Sequence, residues 1–204
     1  MAHVLHIDSS PRGDRSISRT VSKDLIAAWK QLHPDDTVTY RDLGHHPVPH
    51  VDEPWIAAAF TPPPQRSPEL NKVIETSDAL VDEFLVADRY VFGVPMYNLS
   101  VPSTFKAYID QIVRVGRTFG VNEQGFEGLV DSSKKMLVIT ARGGSYQQGT
   151  PAASYDLQEP YIRAIFGFIG VTDITFIHVD NLNGAPDESV NRARDAIQDV
   201  LANW

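Results

Sequence analysis

The chain has 204 residues, with 18 Lys and Arg against 26 Asp and Glu, a net charge of −8 and no cysteine. The lack of cysteine excludes a disulfide scaffold, Cys-ligated zinc or iron–sulfur centres and thiol chemistry; the acidic balance, with no basic run, argues against a nucleic-acid partner. Met1 to Asp8 is too short an apolar stretch for a signal segment, and no apolar run reaches the roughly 18 residues of a membrane span, so the expectation is a cytoplasmic protein with no membrane contact, folded as one domain over residues 1–204.

Val4, Leu5 and Ile7 form an apolar run ending at Asp8, a first strand. Ile17, Val21, Leu25, Trp29 and Leu32 fall at helical spacing. Val38 and Tyr40 mark a second strand within 36–42. Pro47 to Pro68 holds seven of the 14 prolines. Such a stretch predicts neither ordinary helix nor central strand; it reads as a rigid surface excursion or a functional lid. Leu70, Val73, Ile74, Leu80, Val81, Phe84 and Leu85 form the second helical stripe. Tyr90 to Val94 is continuously apolar, as a strand buried on both faces should be. Phe105, Ile109, Ile112 and Val113 make a third stripe. Thr118 to Val130 reads as a hairpin turning at Asn122-Glu123-Gln124-Gly125. Met136 to Ala141 is a fourth buried strand, followed by a helical stripe at Leu157, Tyr161, Ile165 and Phe168. Ile174 to Val179 is the fifth strand, and Val190, Ala193, Ile197, Val200 and Leu201 close the chain as a helix.

Strand followed by helix, five times, predicts an α/β fold. Right-handed crossovers leave few topologies, and five strands suit the flavodoxin-like order 2-1-3-4-5, a three-layer sandwich with helices on both faces of a parallel sheet. Ligands of such sheets bind beyond the carboxyl ends of the strands. Strands 1, 3 and 4 are neighbours in this order, so the loops after them line one crevice.

The first of these loops carries Ser10, Ser16, Ile17 and Ser18 and feeds a helix N-terminus, a place that suits a phosphate. Ser16 alone would also serve as a plain N-cap. Neither a Walker A motif nor G-x-G-x-x-G is present, which favours a phosphate monoester over a pyrophosphate. The second loop, Pro95-Met96-Tyr97-Asn98-Leu99, offers a thioether, an aromatic ring and an amide to a flat ring; a packed loop is the competing account. The third, Ala141-Arg142-Gly143-Gly144, allows close backbone approach with exposed N–H groups, or is a simple turn. His45, His46 and His50 lack metal-site spacing, so no metal is expected. His178 reads as structural. No G-x-S-x-G elbow is present to support a serine hydrolase.

Pro95-Met96-Tyr97-Asn98, Lys106, Tyr108, Asp110, Gly116, Thr118-Phe119, Glu127 to Val130, Arg142-Gly143-Gly144 and Gly167 to Asp173 together carry a resemblance covering nearly the whole chain. The sequence resembles the FMN-dependent NADH:quinone oxidoreductases that also reduce azo dyes, the bacterial azoreductases. The resemblance implies one FMN per subunit, its phosphate at Ser10, Ser16, Ile17 and Ser18. It implies the ring against Pro95, Met96, Tyr97, Asn98 and Leu99, with its pyrimidine edge at Ala141, Arg142, Gly143 and Gly144. It implies NADH or NADPH as donor, quinones and azo compounds as acceptors, and hydride transfer through one pocket in a ping-pong scheme. It also implies a homodimer in which Phe119, Val121 and the Pro-rich segment help wall the substrate pocket. Family members often carry Ser at 141, Phe at 99 and an aromatic at 121, where this chain has Ala, Leu and Val. A flavodoxin-type electron carrier and a reductase releasing free flavin are the alternatives.

Overall fold

The computed structural model describes residues 1–202 and 204. Five parallel strands form its sheet: β1 (His3–Asp8), β2 (Thr37–Asp42), β3 (Arg89–Pro95), β6 (Lys135–Ala141) and β7 (Asp173–Val179). Their order is β2-β1-β3-β6-β7, the flavodoxin-like order expected from the sequence. A separate two-stranded antiparallel hairpin, β4 (Phe119–Asn122) and β5 (Gly125–Gly128), lies between β3 and β6 in the chain.

The helices are α1 (Ile17–Leu32), α2 (Glu53–Phe60), α3 (Pro68–Val86), α4 (Ser103–Ile112), α5 (Gln158–Phe168) and α6 (Pro186–Leu201). α1 and α6 bury Val21, Leu25, Trp29, Ala193, Ile197 and Leu201 against one face of the sheet. The other face is covered by Leu80 and Phe84 of α3, Phe105 and Ile109 of α4, and Ile162 and Phe166 of α5. β1, β3 and β6 are almost wholly buried between these layers, whereas the edge strand β2 is half exposed. Continuous apolar runs mark the central strands because both their faces are covered.

Trp29 meets Trp204 edge to face, ring centroids 5.0 Å apart, and Arg89 lies against both rings.

The Pro-rich stretch departs from expectation, because α2 is an ordinary helix inside it. Asp52 caps it by accepting from the Trp55 N–H at 2.9 Å. Pro54 falls in the first turn, where a missing N–H costs nothing. Pro62, Pro63 and Pro64 come only after the helix has ended. Arg66 Nε donates to the Ala58 and Thr61 carbonyls at 2.9 and 3.0 Å, closing its C-terminus. The positions of the prolines, rather than their number, decide the structure. Leu157, read as helical, instead stands at the N-cap of α5 and is 55% exposed.

Candidate active site

The loops after β1, β3 and β6 meet in a cleft of about 160 Å³ at the carboxyl ends of these neighbouring strands. Ser10, Ser16, Ile17, Pro95, Met96, Tyr97, Ala141 and Gly143, all marked out by the sequence, line it. Arg12, Leu182 and Asn183 line it too. Ser18, Asn98, Leu99, Arg142 and Gly144 sit in the same loops without lining the cleft. Phe119 and Val121 lie elsewhere, on the hairpin; Phe119 packs on Phe168 at the far end of α5, with centroids 4.9 Å apart.

The first loop is built to receive an anion. Ser10, Ser16 and Ser18 are all buried, and Ser16 Oγ and Ser18 Oγ lie 3.2 Å apart. Ser16 caps α1, accepting from the Arg19 N–H at 3.4 Å. The N–H groups of Ser10, Ile17 and Ser18 donate to no acceptor among the described residues. Orphan amides at a helix N-terminus, with the helix dipole behind them, favour negative charge.

Behind this loop stands Arg19. Its guanidinium donates to the Ser10 carbonyl at 2.7 Å and to both oxygens of Asp42 at 2.8 Å. The buried Asp8 lies 3.8 Å away and accepts from Ser22 and Tyr40. Burial alone would raise the Asp42 carboxyl, but hydrogen bonds from Arg19 and His45 outweigh it and hold the group well below the ordinary carboxylate range. His45 is thus tied to Asp42, with Nδ1 at 2.8 Å. Among the described residues no three His, Cys, Asp or Glu side chains form a metal-binding group. Gly44 must lack a side chain, since a Cβ there would sit 2.1 Å from the Ser10 carbonyl oxygen.

The second loop is a tight turn. Tyr97 and Ser100 exchange backbone hydrogen bonds at 3.0 and 3.1 Å, and Asn98 and Leu99 between them have φ of 48° and 71°. Positive φ at both central positions is what a type I′ turn demands. Asparagine tolerates it, and leucine does so at a cost of order 1 kcal/mol. Strain held in a loop beside a cleft is a mark of function.

The third loop is held from both sides. The loop after β7 donates three backbone N–H groups into it: Asn181 to Gly144, Leu182 to Arg142 and Asn183 to Gly143, at 2.9, 3.1 and 3.1 Å. The N–H groups of Gly143 and Gly144 find no acceptor among the described residues. A Cβ on Gly143 would stand 2.7 Å from Asn183 Nδ2, so a side chain there would have to displace the Asn183 amide.

Arg142 turns away from the cleft. Its N–H donates to Val179 and its carbonyl accepts from Leu182. Its guanidinium pairs with Asp180 and Asp156. Arg142 is 1% exposed and braces the loop from behind. His178 is part of the same packing, with Nε2 2.8 Å from Glu159 and Nδ1 2.8 Å from Thr140 Oγ1. Burial and the Arg142 charge push its imidazole below the usual histidine range, against the pull of Glu159.

These residues suit FMN: orphan amides and buried hydroxyls for a phosphate at one end, a constrained turn for a ring, and two free amides for ring carbonyls at the other. A family model described as flavodoxin-like fold matches residues 2–201. The FMN-dependent NADH:quinone oxidoreductase 2 of Trichormus variabilis is 68% identical over 207 residues, covering 100% of both chains. The chain belongs to this oxidoreductase family. The family's Nostoc sp. member is 67% identical over the same span. Among solved structures, azoreductase from Bacillus anthracis Sterne is 30% identical, with a TM-score of 0.91 and full coverage of both chains. An FMN-dependent NADH-azoreductase from Bacillus anthracis Ames Ancestor, in complex with FMN, is 27% identical over 99% of this chain and 98% of that one, with a TM-score of 0.90.

Leu182 and Asn183 are the lining residues that sequence reading missed. The signal was there in Asn181-Leu182-Asn183-Gly184, a run rich in turn residues after a strand.

Proposed function

We propose that the protein binds FMN in this crevice and uses it for two-electron reduction of quinones and of aromatic azo compounds, with NADH as donor. The unpaired amides on the first and third of these loops carry this reading, because backbone N–H groups are rarely left without a partner. The hydroxyls of Ser10, Ser16 and Ser18 and the amides of Ser10, Ile17 and Ser18 hold the phosphate. Arg12 stands at the mouth of the cleft and adds positive charge. Pro95 to Leu99 set the plane of the ring, and Ala141 backs its edge. The Gly143 and Gly144 amides bond the ring carbonyls and stabilise negative charge there. Arg142 acts on the ring only through the loop it braces. When bound, FMN supplies hydride chemistry at its N5, which no side chain of a cysteine-free protein provides.

In this reading residues 1–204 are one domain, with outgrowths at 47–68 and 118–130. The protein is a cytoplasmic homodimer with one FMN per subunit. The dimer is supported by the hairpin: Val121 and Phe126 are 66% and 70% exposed, and although Phe126 meets Phe119 and Phe168, most of this apolar pair is left uncovered. Phe119 and Val121 then wall the substrate pocket of the other subunit. Among the described residues no helix is long and apolar enough to cross a membrane.

The test is NADH oxidation by FMN-loaded protein with benzoquinone and with an azo dye. Parallel-line kinetics with flavin retained through gel filtration is the expected result. Bound flavin without turnover would leave an electron carrier, and loss of flavin during turnover a reductase of free flavin.

A further inference from the structure

α5 buries one row of side chains, Gln158, Ile162 and Phe166, each a turn from the next. Ile162 and Phe166 belong to the apolar core. Gln158 heads the row and is fully buried. Its Nε2 donates to the Val94 carbonyl at 3.0 Å, while its Oε1 is buried and finds no donor among the described residues. Only the amide nitrogen can donate to a carbonyl, so the orphan is the oxygen. A half-satisfied amide in an apolar layer is a liability that methionine, of similar length, would not carry. The use of Gln158 therefore lies in the one bond it makes.

Val94 stands directly before Pro95, where the second loop of the crevice begins. Pro95 has no N–H with which to anchor itself. The N-terminal end of α5 fixes this loop at two points instead. Gln158 holds the Val94 carbonyl at its start, and the Leu157 N–H donates to the Leu99 carbonyl at 3.1 Å near its end. Leu99 is one of the two residues held at positive φ, a conformation that persists only where its surroundings enforce it. Asp156, next in sequence, accepts from Arg142 Nη1 at 2.7 Å behind the third loop. The same carboxylate accepts from the N–H groups of Gln158 and Glu159 at 3.0 and 3.1 Å. Consecutive residues 156, 157 and 158 thus fasten both of the loops read as meeting the ring. Nothing in the reading of the crevice uses Gln158.

We propose that Gln158 is a positioning residue for the flavin reaction. It acts through the Val94 carbonyl and sets the Pro95–Leu99 turn against the Gly143 and Gly144 amides, so that one flat ring meets both. This rests on FMN occupying the crevice. A misplacement of about 1 Å can cost about 100-fold in rate, so one buried hydrogen bond behind the turn has a measurable consequence. An apolar residue at 158 would pack at least as well and hold the turn less well.

The experiment separates positioning from stability. Gln158→Met and Gln158→Leu remove the donor and the orphan oxygen together, whereas Ile162→Val only trims a methylene from the same buried row. Both Gln158 variants should melt at or above the temperature of the parent, and Ile162→Val about 2–4 °C below it. With FMN bound, the Gln158 variants should change the visible circular dichroism of the flavin. They should lower NADH–benzoquinone turnover per bound flavin at least about tenfold, with a smaller change in KM for NADH. Ile162→Val should keep the dichroism and turnover of the parent. In flavin-free protein the Leu157 amide should exchange with deuterated solvent at least about tenfold faster in the Gln158 variants. Parent values of dichroism, turnover or exchange in both Gln158 variants would overturn the proposal, as would melting lowered as far as by Ile162→Val. A parent that retained no FMN would end the flavin reading and this proposal with it; parent-like variants of an active, FMN-loaded parent would end this proposal alone.

Discussion

The two ends of the crevice are braced by the same device, built differently. At the end proposed for the phosphate Arg19 is clamped by Asp42, with Asp8 nearby, and its guanidinium grips the loop by a single contact, the Ser10 carbonyl. At the ring end Arg142 is itself part of the loop and is clamped by Asp156 and Asp180. Arg19's side chain is 13% exposed and Arg142's 1%. The first brace comes from a helix and can be loosened without moving the loop's own backbone. The second cannot, because the residue that is clamped also carries two backbone hydrogen bonds of the loop, to Val179 and from Leu182. In the proposed reading, a loop that receives a phosphate tolerates adjustment, whereas amides that meet ring carbonyls need a fixed frame.

The largest expected effect comes from breaking the tighter brace. Arg142→Met leaves two poorly exposed carboxylates without their partner, which should cost about 3–5 kcal/mol. A urea denaturation midpoint close to that of the parent would refute the brace. Arg19→Met should cost less, about 1–3 kcal/mol, and should loosen FMN. It should also change the acid limb of stability. The depressed Asp42 carboxyl stabilises the fold above the ordinary aspartate range, and that contribution is lost as pH falls towards its folded value. The difference between parent and variant should therefore shrink in acid, and a constant gap would argue against Asp42 as the linked group. Next, Ser16→Ala with Ser18→Ala removes two hydroxyls from the phosphate loop; FMN affinity should fall about 10- to 100-fold by flavin fluorescence. Retained affinity would shift the phosphate elsewhere. The smallest effect is expected at Gly143→Ala, where the flexible Asn183 amide can move aside. A loss of about 1 kcal/mol in stability with a measurable fall in FMN binding would tie the two loops together; unchanged binding would separate them.

The sheet is readable because Tyr90 to Val94 of β3 and Met136 to Ile139 of β6 are continuous apolar runs, and helix stripes such as Ile17 to Leu32 repeat at 3.6-residue spacing. Convergence of the three loops followed from strand order. What could not be read depends on contacts distant in sequence. Nothing local to Arg142 announces Asp180, 38 residues on, as its partner. The resemblance puts the Arg142 loop at the ring edge, while its guanidinium is spent on the scaffold. The Pro-rich stretch misled for a different reason. A count of prolines predicts no helix, whereas Pro54 stands at the one place in a helix that accepts it. Gln158 and Val94, 64 residues apart, meet only when α5 packs on the sheet.

The three tryptophans divide the molecule between two optical reporters. Trp29 and Trp204 share one environment under Arg89, on the face of α1 and α6. Trp55 stands apart on α2, beside Arg114. A Trp55→Phe protein would report only the α1 and α6 layer, and the spectrum it removes would belong to the surroundings of α2. Emission difference between the two proteins would then follow loosening of α2 in real time, with no label attached and no signal borrowed from the flavin.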